Sequence, residues 1–322
     1  MFTGKPMTAE QPMPFVVEPE SAQEKAAAND LLAYYQANAD HLETKLLRHG
    51  ALLLRGFGVN TPSNFARCVR ALNGSLLDYV DGNSPRTKLT AGVYTSTEYP
   101  SEYPISLHNE LSYSHRWPRK LFFCCIVAPR ENGETPIADS RVILKNLDAA
   151  VREEFTRKGV KYIRTLHGGQ GVGPSWQDTF ETADKTAVER YCAGENGDVQ
   201  WQADGGLKLT QVRPAVATHP RTNERVWFNQ ADQFHPSTHP RRVYETMMSL
   251  YRGKEGELPQ NALFGDDTPI ADGLLEHVRD TARKSAVLFP WREGDVLVID
   301  NMLTCHGRMP YTGPRKILVA MS

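Results

Sequence analysis

The chain has 322 residues, of which 40% are hydrophobic and 23% are charged, and its formal net charge is −1. This composition is ordinary for a soluble globular protein and unlike that of a disordered chain. Because the charge is nearly balanced and the Lys and Arg residues are scattered, we expect neither nucleic acid nor a membrane surface as a partner.

The N-terminal region predicts a short arm ahead of one domain. Residues 1–20 carry prolines and acidic residues where a signal peptide needs an unbroken apolar stretch. We therefore expect a flexible arm over residues 1–20, a single domain over residues 21–322 and a cytoplasmic protein. The five cysteines are odd in number and form no CxxC motif, which favours reduced thiols buried in the core.

The first half of the chain begins with helical signals and then becomes strand-like. Residues 21–48 are predicted to be helical, and GALLLRGFGV (50–59) is predicted to be an apolar strand. Residues 61–74 predict a helix with Thr61 as N-cap, Pro62 as its first residue and Gly74 as its stop. From 89 to 144, the strand candidates are KLTAGVYTS, ISLHNELSY, KLFFCCIVA and PIADSRVIL.

The second half adds helices between further strands. Helices are predicted at about 147–157, 240–253 and 272–284. Strands are predicted at 160–166, 206–219 and 224–230, and then in SAVLFPW, VLVID and RKILVAM. Many short strands with inserted helices favour a mainly β fold, a sandwich or jelly roll, over alternating βα units.

The segment ISLHNELSYS (105–114) contains the first candidate site. In a strand, residues i and i+2 point to the same side, so His108 and Glu110 are predicted to lie side by side. Alone, this pair is best interpreted as a surface ion pair on an edge strand. His306, which follows the strand ending at Asp300, changes that balance, because two histidines and one carboxylate form a facial ligand set for a metal ion.

Three separated stretches of the chain then carry a family resemblance. HNELSYS, ENGETPIADSR and GDVLVIDNMLTCHGRMPYTGPRKILVAM resemble the TauD/TfdA family of Fe(II)- and 2-oxoglutarate-dependent dioxygenases. The resemblance is nearer to the branch with glutamate in the metal motif, which includes SyrP-like and clavaminate synthase-like enzymes. It extends from about residue 50 to the C-terminus and implies a TauD-like double-stranded β-helix, that is, a jelly-roll catalytic domain.

The resemblance implies a role for individual residues of this chain. His108, Glu110 and His306 would hold the iron. Thr135, 25 residues after Glu110, would bind 2-oxoglutarate. An arginine after the distal histidine would pair with the far carboxylate of 2-oxoglutarate; this is Arg315 or Arg308, and we favour Arg315 because it opens the apolar strand KILVA.

The implied chemistry is oxidation of an unactivated C–H bond with 2-oxoglutarate and O2, giving succinate and CO2. Hydroxylation is the default outcome, with desaturation or epoxidation as alternatives, and the retained Glu110 argues against halogenation. The branch implies an amino acid or amino-acid derivative of specialised metabolism as substrate, free or tethered to a carrier protein. Residues on segments expected to face the metal are Tyr94, Arg86, Asn109, Ser112, Asn229, Gln230 and Asp232. Among these seven residues, we select Asn109, Tyr94 and Asn229 as the candidates for substrate binding.

Two other classes of function remain open at this point. A zinc hydrolase also uses two histidines and a glutamate with an open metal position, but it gives no role to Thr135 and Arg315. A non-catalytic jelly-roll binding protein would keep the fold without needing all three ligands. The sequence does not establish the oligomeric state.

Overall fold

A computed structural model of the chain describes residues 2–8, 12–21, 26–82, 86–171 and 173–322. Its α-helices are α1 (Ala28–His49), α2 (Pro62–Asn73), α3 (Ser140–Asn146), α4 (Ala149–Lys158), α5 (Trp176–Phe180), α6 (Lys185–Gly194), α7 (Ala231–Phe234), α8 (Arg241–Leu250) and α9 (Asp272–Lys284). Its strands up to residue 139 are β1 (Phe2–Pro6), β2 (Phe15–Pro19), β3 (Ala51–Leu54), β4 (Lys88–Thr90), β5 (Val93–Thr95), β6 (Ile105–His108), β7 (Lys120–Val127), β8 (Glu131–Asn132) and β9 (Ile137–Asp139). The later strands are β10 (Val160–Leu166), β11 (Gly197–Trp201), β12 (Leu207–Arg213), β13 (Val216–Thr218), β14 (Arg225–Trp227), β15 (Gln260–Phe264), β16 (Val296–Asp300), β17 (Thr304–Arg308), β18 (Tyr311–Thr312) and β19 (Lys316–Met321).

The largest sheet has eight strands in the order β1-β2-β3-β16-β7-β19-β5-β4. Its central strand β7 pairs antiparallel with β16 on one side and with β19 on the other, and the three strands are largely buried on both faces. They come from distant parts of the sequence, so the sheet joins the middle of the chain to its C-terminus. Apolar β-branched and aromatic residues dominate these strands, as expected where both faces pack against other layers.

The two faces of this sheet have different neighbours. Alternate side chains such as Phe122, Val298 and Leu318 pack on one face with the buried residues of α1 and α2. The intervening side chains, such as Phe123, Leu297 and Val319, face the other way and pack with Ile137 of β9. Strand alternation therefore places helices on one side of the sheet and a second, smaller sheet on the other.

The smaller sheet positions the candidate site. Its three strands have the order β6-β17-β9, and all pairings are antiparallel. The ring of His306 in β17 lies 5.0 Å from the ring of Phe123 in the large sheet, centroid to centroid. The site therefore lies between the two facing sheets, which is the arrangement that the predicted jelly roll requires.

A helical and β insertion covers the small sheet on its other side. Helices α3, α4 and α9 share an apolar core with β10 and β15. Strands β10 and β15 belong to a four-stranded sheet of order β11-β12-β10-β15. The predicted helices at 147–157, 240–253 and 272–284 are confirmed as α4, α8 and α9.

A buried ion pair ties the large sheet to the loop before β16. Arg55 follows β3, and its Nε and Nη2 donate to the two carboxylate oxygens of Asp295 at 3.0 and 2.7 Å. The Asp295 carboxylate also accepts from the backbone N–H of Arg292. Both oxygens of the buried Asp295 carboxylate therefore accept hydrogen bonds, as a buried charge requires.

The N-terminal residues differ from the flexible arm that we expected for residues 1–20. Strand β2 pairs in parallel with β3, and β1 pairs antiparallel with β2 at the sheet edge. Phe15 and Val17 are buried in the core shared with α1. The apolar stretch FVV has strand character, which outweighs the prolines around it. Residues 1 and 9–11 of the expected arm lie outside the described residues.

Several predicted strands are wrong in part. PIADSRVIL is a strand only from Ile137 to Asp139, because the Asp139 side chain caps α3 by accepting from the N–H of Arg141. SAVLFPW contributes only an isolated bridge between Val287 and Ile137. ISLHNELSY ends as a strand at His108. In contrast, α2 has the predicted cap, since the Thr61 side chain accepts from the N–H of Asn64.

Across the described residues, no helix is both long enough and apolar enough to cross a membrane. All five cysteines are free thiols and are buried, as the sequence predicts.

Candidate active site

His108 and His306 lie directly opposite each other across β6 and β17. Their imidazole rings are 4.4 Å apart, centroid to centroid. Both residues are buried at the interface of the two sheets, at 8% and 5% exposure. The sheet register therefore brings together the two histidines that the sequence predicts as ligands.

Glu110 reaches the same place by a turn and not by strand alternation. The strand ends at His108, and Leu111 has a positive φ of 54°. The Asn301 side chain holds this turn: its Oδ1 accepts from the Glu110 N–H at 2.8 Å, and its Nδ2 donates to the Glu110 carbonyl at 2.9 Å. The same-face argument thus gave the right pair of residues for the wrong reason.

The three side chains form one cluster of potential metal ligands. Glu110 Oε2 lies 4.0 Å from His108 Nε2 and 3.7 Å from His306 Nε2. One ligand atom from each residue lies within 4.8 Å of the other two. Donor atoms this close to one another could hold a single metal ion.

The protonation of the histidines suits a metal. His108 Nδ1 lies 2.9 Å from the carbonyl oxygen of Ser106, so Nδ1 carries the proton and donates it, leaving the Nε2 lone pair directed at Glu110. Burial lowers the pKa of His108, and it lowers the pKa of His306 well below the usual value. Both imidazoles are therefore neutral near pH 7. Two neutral imidazoles and one carboxylate are the donor set that non-haem Fe(II) takes.

Arg86 is the nearest cation to this cluster. Its Nη2 donates to Glu110 Oε2 at 2.7 Å, and its side chain is only 3% exposed. Its guanidinium group also lies over the ring of Tyr79, 4.4 Å from the centroid. The sequence indicates only that its segment faces the site.

A small pocket beside the histidines contains the predicted 2-oxoglutarate residues. Its walls include Thr135, Arg315, Ser96 and Thr97 together with both histidines. Arg315 Nε donates to the Gly133 carbonyl at 2.9 Å, and Nη1 lies 3.4 Å from Ser96 Oγ. Burial lowers the pKa of Arg315 to about 10, which leaves it charged at neutral pH. A buried guanidinium whose hydrogen-bond partners are a carbonyl and a hydroxyl, with no carboxylate, favours an incoming carboxylate.

Arg308, our second candidate for the same carboxylate, has a different role in the structure. Its Nη1 donates to the Tyr99 carbonyl, and its Nη2 donates to the carbonyls of Pro100 and Tyr103. Three backbone acceptors fix the guanidinium group on the 99–103 loop. This geometry favours Arg315 as the carboxylate partner.

The three candidates for substrate binding are engaged inside the protein. Asn109 Nδ2 donates to the Asn301 carbonyl and to Ser140 Oγ. The Tyr94 hydroxyl accepts from the Tyr79 N–H and donates to Asp78. Asn229 donates to the Ala215 carbonyl and accepts from the Ala231 N–H. These bonds fix the three side chains around the site. Asn109 and Asn229 also line the large cavity described next, and substrate binding by the three residues stays a prediction.

A much larger cavity adjoins the pocket. Its volume is about 1020 Å³, and it shares Thr97, Ile105 and Arg308 with the small pocket as wall residues. Asp232 and Arg279 line it and form an ion pair, and Arg279 Nη2 also donates to Ser237 Oγ at 2.6 Å. The cavity is large enough for a small metabolite with charged ends.

Two supporting residues were missed in the sequence. Trp291 Nε1 donates to Thr135 Oγ1 at 3.2 Å, which leaves the threonine hydroxyl proton free for another acceptor. Asn301 fixes the turn that carries Glu110. Asn301 directly follows the predicted strand VLVID and lies within a stretch that carries the family resemblance, which is a signal that could have found it. Trp291 lies outside the three stretches quoted for that resemblance.

Comparisons with known proteins agree with this geometry. The family described as "Taurine catabolism dioxygenase TauD, TfdA family" matches residues 11–321. Dapdiamide synthesis protein DdaC of Enterobacter agglomerans is 37% identical over 276 residues, which make up 86% of this chain and 83% of that protein. A clavaminate synthase-like protein of Arabidopsis thaliana is 31% identical over 325 residues, covering 97% of this chain and 94% of that protein.

Solved structures share the fold at low sequence identity. PvcB, described as an Fe, alpha-ketoglutarate dependent oxygenase from an isonitrile synthetic pathway, has a TM-score of 0.55 at 16% identity and covers 100% of this chain and 90% of that chain. AAD-2 in complex with Mn(II) and N-oxalylglycine has a TM-score of 0.54 at 12% identity, with 100% and 96% coverage. The mainly β jelly roll with inserted helices, predicted from the sequence, is confirmed.

Proposed function

Because the chain belongs to the TauD/TfdA family of Fe(II)- and 2-oxoglutarate-dependent dioxygenases, we propose that it hydroxylates an unactivated C–H bond of an amino acid or amino-acid derivative. It is an oxidoreductase that uses Fe(II), 2-oxoglutarate and O2. The zinc hydrolase and the non-catalytic binding protein are therefore set aside. Iron, 2-oxoglutarate and O2 together supply the oxidation, with succinate and CO2 as co-products.

The residues proposed to hold the iron are His108, Glu110 and His306. The observation that carries this assignment is the register that places the histidines opposite each other, with Glu110 Oε2 within 4.0 Å of both Nε2 atoms. The Ser106 carbonyl fixes the tautomer of His108, and Asn301 fixes the backbone of Glu110. These contacts orient the ligands before an ion arrives, which reduces the cost of binding it.

Arg315 and Thr135 are proposed to bind the far carboxylate of 2-oxoglutarate. Both line the pocket next to the histidines. Arg315 supplies charge, and Thr135 supplies a hydroxyl donor oriented by Trp291. Together they would set the direction of the co-substrate, with its 2-oxo acid end toward the histidines.

The large cavity is the proposed substrate site. Asp232 and Arg279 on its wall are opposite charges of the kind that the ammonium and carboxylate ends of an amino acid require. The relatives also support a small amino-acid-like substrate of specialised metabolism, since one is named for dapdiamide synthesis and the other for its likeness to clavaminate synthase. Desaturation or epoxidation by the same site is the second candidate outcome, and the substrate is either free or attached to a carrier protein.

The proposal is tested in two steps. Anaerobic addition of Fe(II) and 2-oxoglutarate should give the weak visible charge-transfer band of the chelate, and His306→Ala should abolish it. Succinate release is then screened with amino acids in free and carrier-bound form, and products are identified by mass. A gain of one oxygen atom supports hydroxylation, and a loss of two hydrogens indicates desaturation. Absence of the band in the wild type would overturn the proposed site.

A further inference from the structure

Three arginines line the pocket beside the histidines. Arg308 donates to three backbone carbonyls, which leaves Arg86 and Arg315 as the cations available to a ligand. Arg315 contacts Gly133 and Ser96, and Arg86 contacts Glu110. Both guanidinium groups line the same pocket, together with Thr135 and Thr97. The mechanism described above uses only Arg315, so the role of Arg86 is open.

Arg86 has spare donors directed into a buried space. Its side chain is 3% exposed, and within the described part of the chain it forms an ion pair with Glu110. Its Nε and Nη1 atoms are buried, and neither has a hydrogen-bond partner among the described residues. A buried guanidinium with unused N–H groups is costly unless an acceptor joins it, so these atoms favour a further anionic or carbonyl ligand.

The charges of the site indicate which ligand Arg86 would bind. Arg308 is held by backbone carbonyls, so when Glu110 shares its negative charge with a divalent ion, Arg86 and Arg315 are the cations of the pocket left to bind an anion. 2-Oxoglutarate carries a carboxylate at each end, and a dicarboxylate of this kind supplies one anion to each arginine. Because Arg86 already touches a predicted metal ligand, it lies at the end of the pocket where the 2-oxo acid group would be.

We propose that Arg86 receives the carboxylate adjacent to the oxo group of 2-oxoglutarate, while Arg315 and Thr135 receive the far carboxylate. Arg86 would then donate both to Glu110 Oε2, as it does in this structure, and to the co-substrate carboxylate. This inference rests on the proposed ligand set, and it explains why the pocket needs a co-substrate with two carboxylates. It also separates two contributions to affinity that can be measured independently.

The test compares two 2-oxo acids on the Mn(II)-loaded full-length protein by isothermal titration calorimetry. 2-Oxoglutarate has both carboxylates, and 2-oxobutyrate has only the one next to the oxo group. We expect Arg315→Met to weaken 2-oxoglutarate about 10- to 100-fold and to leave 2-oxobutyrate within about twofold. We expect Arg86→Met to weaken both ligands by a similar factor, and Arg86→Lys to recover part of the loss. Arg67→Met, on the exposed face of α2, is the matched control and should change neither.

A second measurement excludes an indirect effect through Glu110. Mn(II) affinity without any 2-oxo acid is measured by electron paramagnetic resonance, and Arg86→Met should bind the ion at least as tightly as the wild type because a competing cation has been removed. The inference is wrong if Arg86→Met leaves 2-oxobutyrate binding unchanged. It is also wrong if the variant loses Mn(II) affinity by the same factor as it loses 2-oxobutyrate affinity. A wild-type protein that binds Mn(II) but neither 2-oxo acid would overturn the proposed function as well. Thermal melting of each variant confirms that it is folded.

Discussion

His306 faces His108 across an antiparallel strand pair, although 306 − 108 = 198 positions separate them in the sequence. The β6 and β17 register therefore determines whether the two imidazoles meet. In an antiparallel pair, a shift by one residue turns a side chain to the opposite face. Pairing with β9 on the other edge of β17 fixes this register further, since His306 is also opposite Ile137.

Removing one ligand should abolish tight metal binding while leaving the fold intact. His108→Ala and His306→Ala each remove one of three donors from the cluster. Loss of a residue that only hydrogen-bonds to a metal ligand lowers metal affinity by up to about 100-fold, so we expect loss of a ligand itself to lower the affinity for Mn(II) by at least that factor. Electron paramagnetic resonance of titrated Mn(II) measures this directly. His41→Ala, on the exposed surface of α1, is the control. Unchanged Mn(II) affinity in either ligand variant would refute the assignment.

The hydrogen bond from Trp291 to Thr135 should contribute to 2-oxoglutarate binding. Trp291→Phe keeps an aromatic ring but removes the N–H that orients the Thr135 hydroxyl, so we expect a loss of about 1 kcal/mol, or roughly fivefold in affinity. Thr135→Val should cost more, because the hydroxyl itself is lost, and Thr135→Ser should remain close to the wild type. Calorimetry with 2-oxoglutarate measures all three. If Thr135→Val binds like the wild type, the hydroxyl has no role in recognition.

Arg308 and Arg315 should give opposite results when each is replaced by Met. Arg308→Met leaves three backbone carbonyls without their donor and should lower the free energy of unfolding by about 1–3 kcal/mol, with little change in 2-oxoglutarate affinity. Arg315→Met should instead weaken 2-oxoglutarate and change stability less. Urea unfolding and calorimetry on the same two variants make the comparison. The reverse pattern would identify Arg308 as the residue that binds the far carboxylate of 2-oxoglutarate.

The sequence predicts the site better than it predicts the local structure around it. His108, Glu110 and His306 were found because the residue types form a recognised ligand set within a family motif. The turn that delivers Glu110 was missed, since it depends on Asn301 from another strand and on a positive φ at Leu111. Similarly, β17 around His306 has little strand propensity of its own, and it forms because β6 and β9 pair with both of its edges.

Substrate-binding residues are harder to predict from sequence than metal ligands, for a related reason. Asn109, Tyr94 and Asn229 are polar residues near the site in sequence, but their hydrogen bonds are to distant backbone and side-chain groups such as Ala215 and Asp78. Whether a polar side chain supports a loop or faces a cavity depends on those partners. Part of the cavity wall is built from α9 and the segment after β14, which carry no motif of their own.

The cysteines should be unreactive in the folded protein. All five are buried, and burial raises the pKa of Cys68 to about 11 and that of Cys125, Cys192 and Cys305 to about 12. At pH 8 nearly all of each thiol is therefore protonated, and only the thiolate reacts. We expect less than one equivalent of thiol to react with a disulfide reagent under native conditions and five in denaturant. Rapid reaction of one thiol in the native protein would contradict this.

The buried pair between Arg55 and Asp295 should be required for stability. Asp295→Ala leaves the Arg55 guanidinium charged and without its carboxylate, and breaking a buried pair in this way costs about 3–5 kcal/mol of unfolding free energy. Replacing both residues, as Arg55→Met with Asp295→Leu, should cost less than the single change, because no charge is left stranded. Urea unfolding measures the stability of each variant. Arg241→Ala is the control, because Arg241 forms an exposed ion pair with Glu245, and it should change the free energy of unfolding by less than about 1 kcal/mol. If Asp295→Ala is no more destabilising than Arg241→Ala, the pair between β3 and β16 does not hold the sheet.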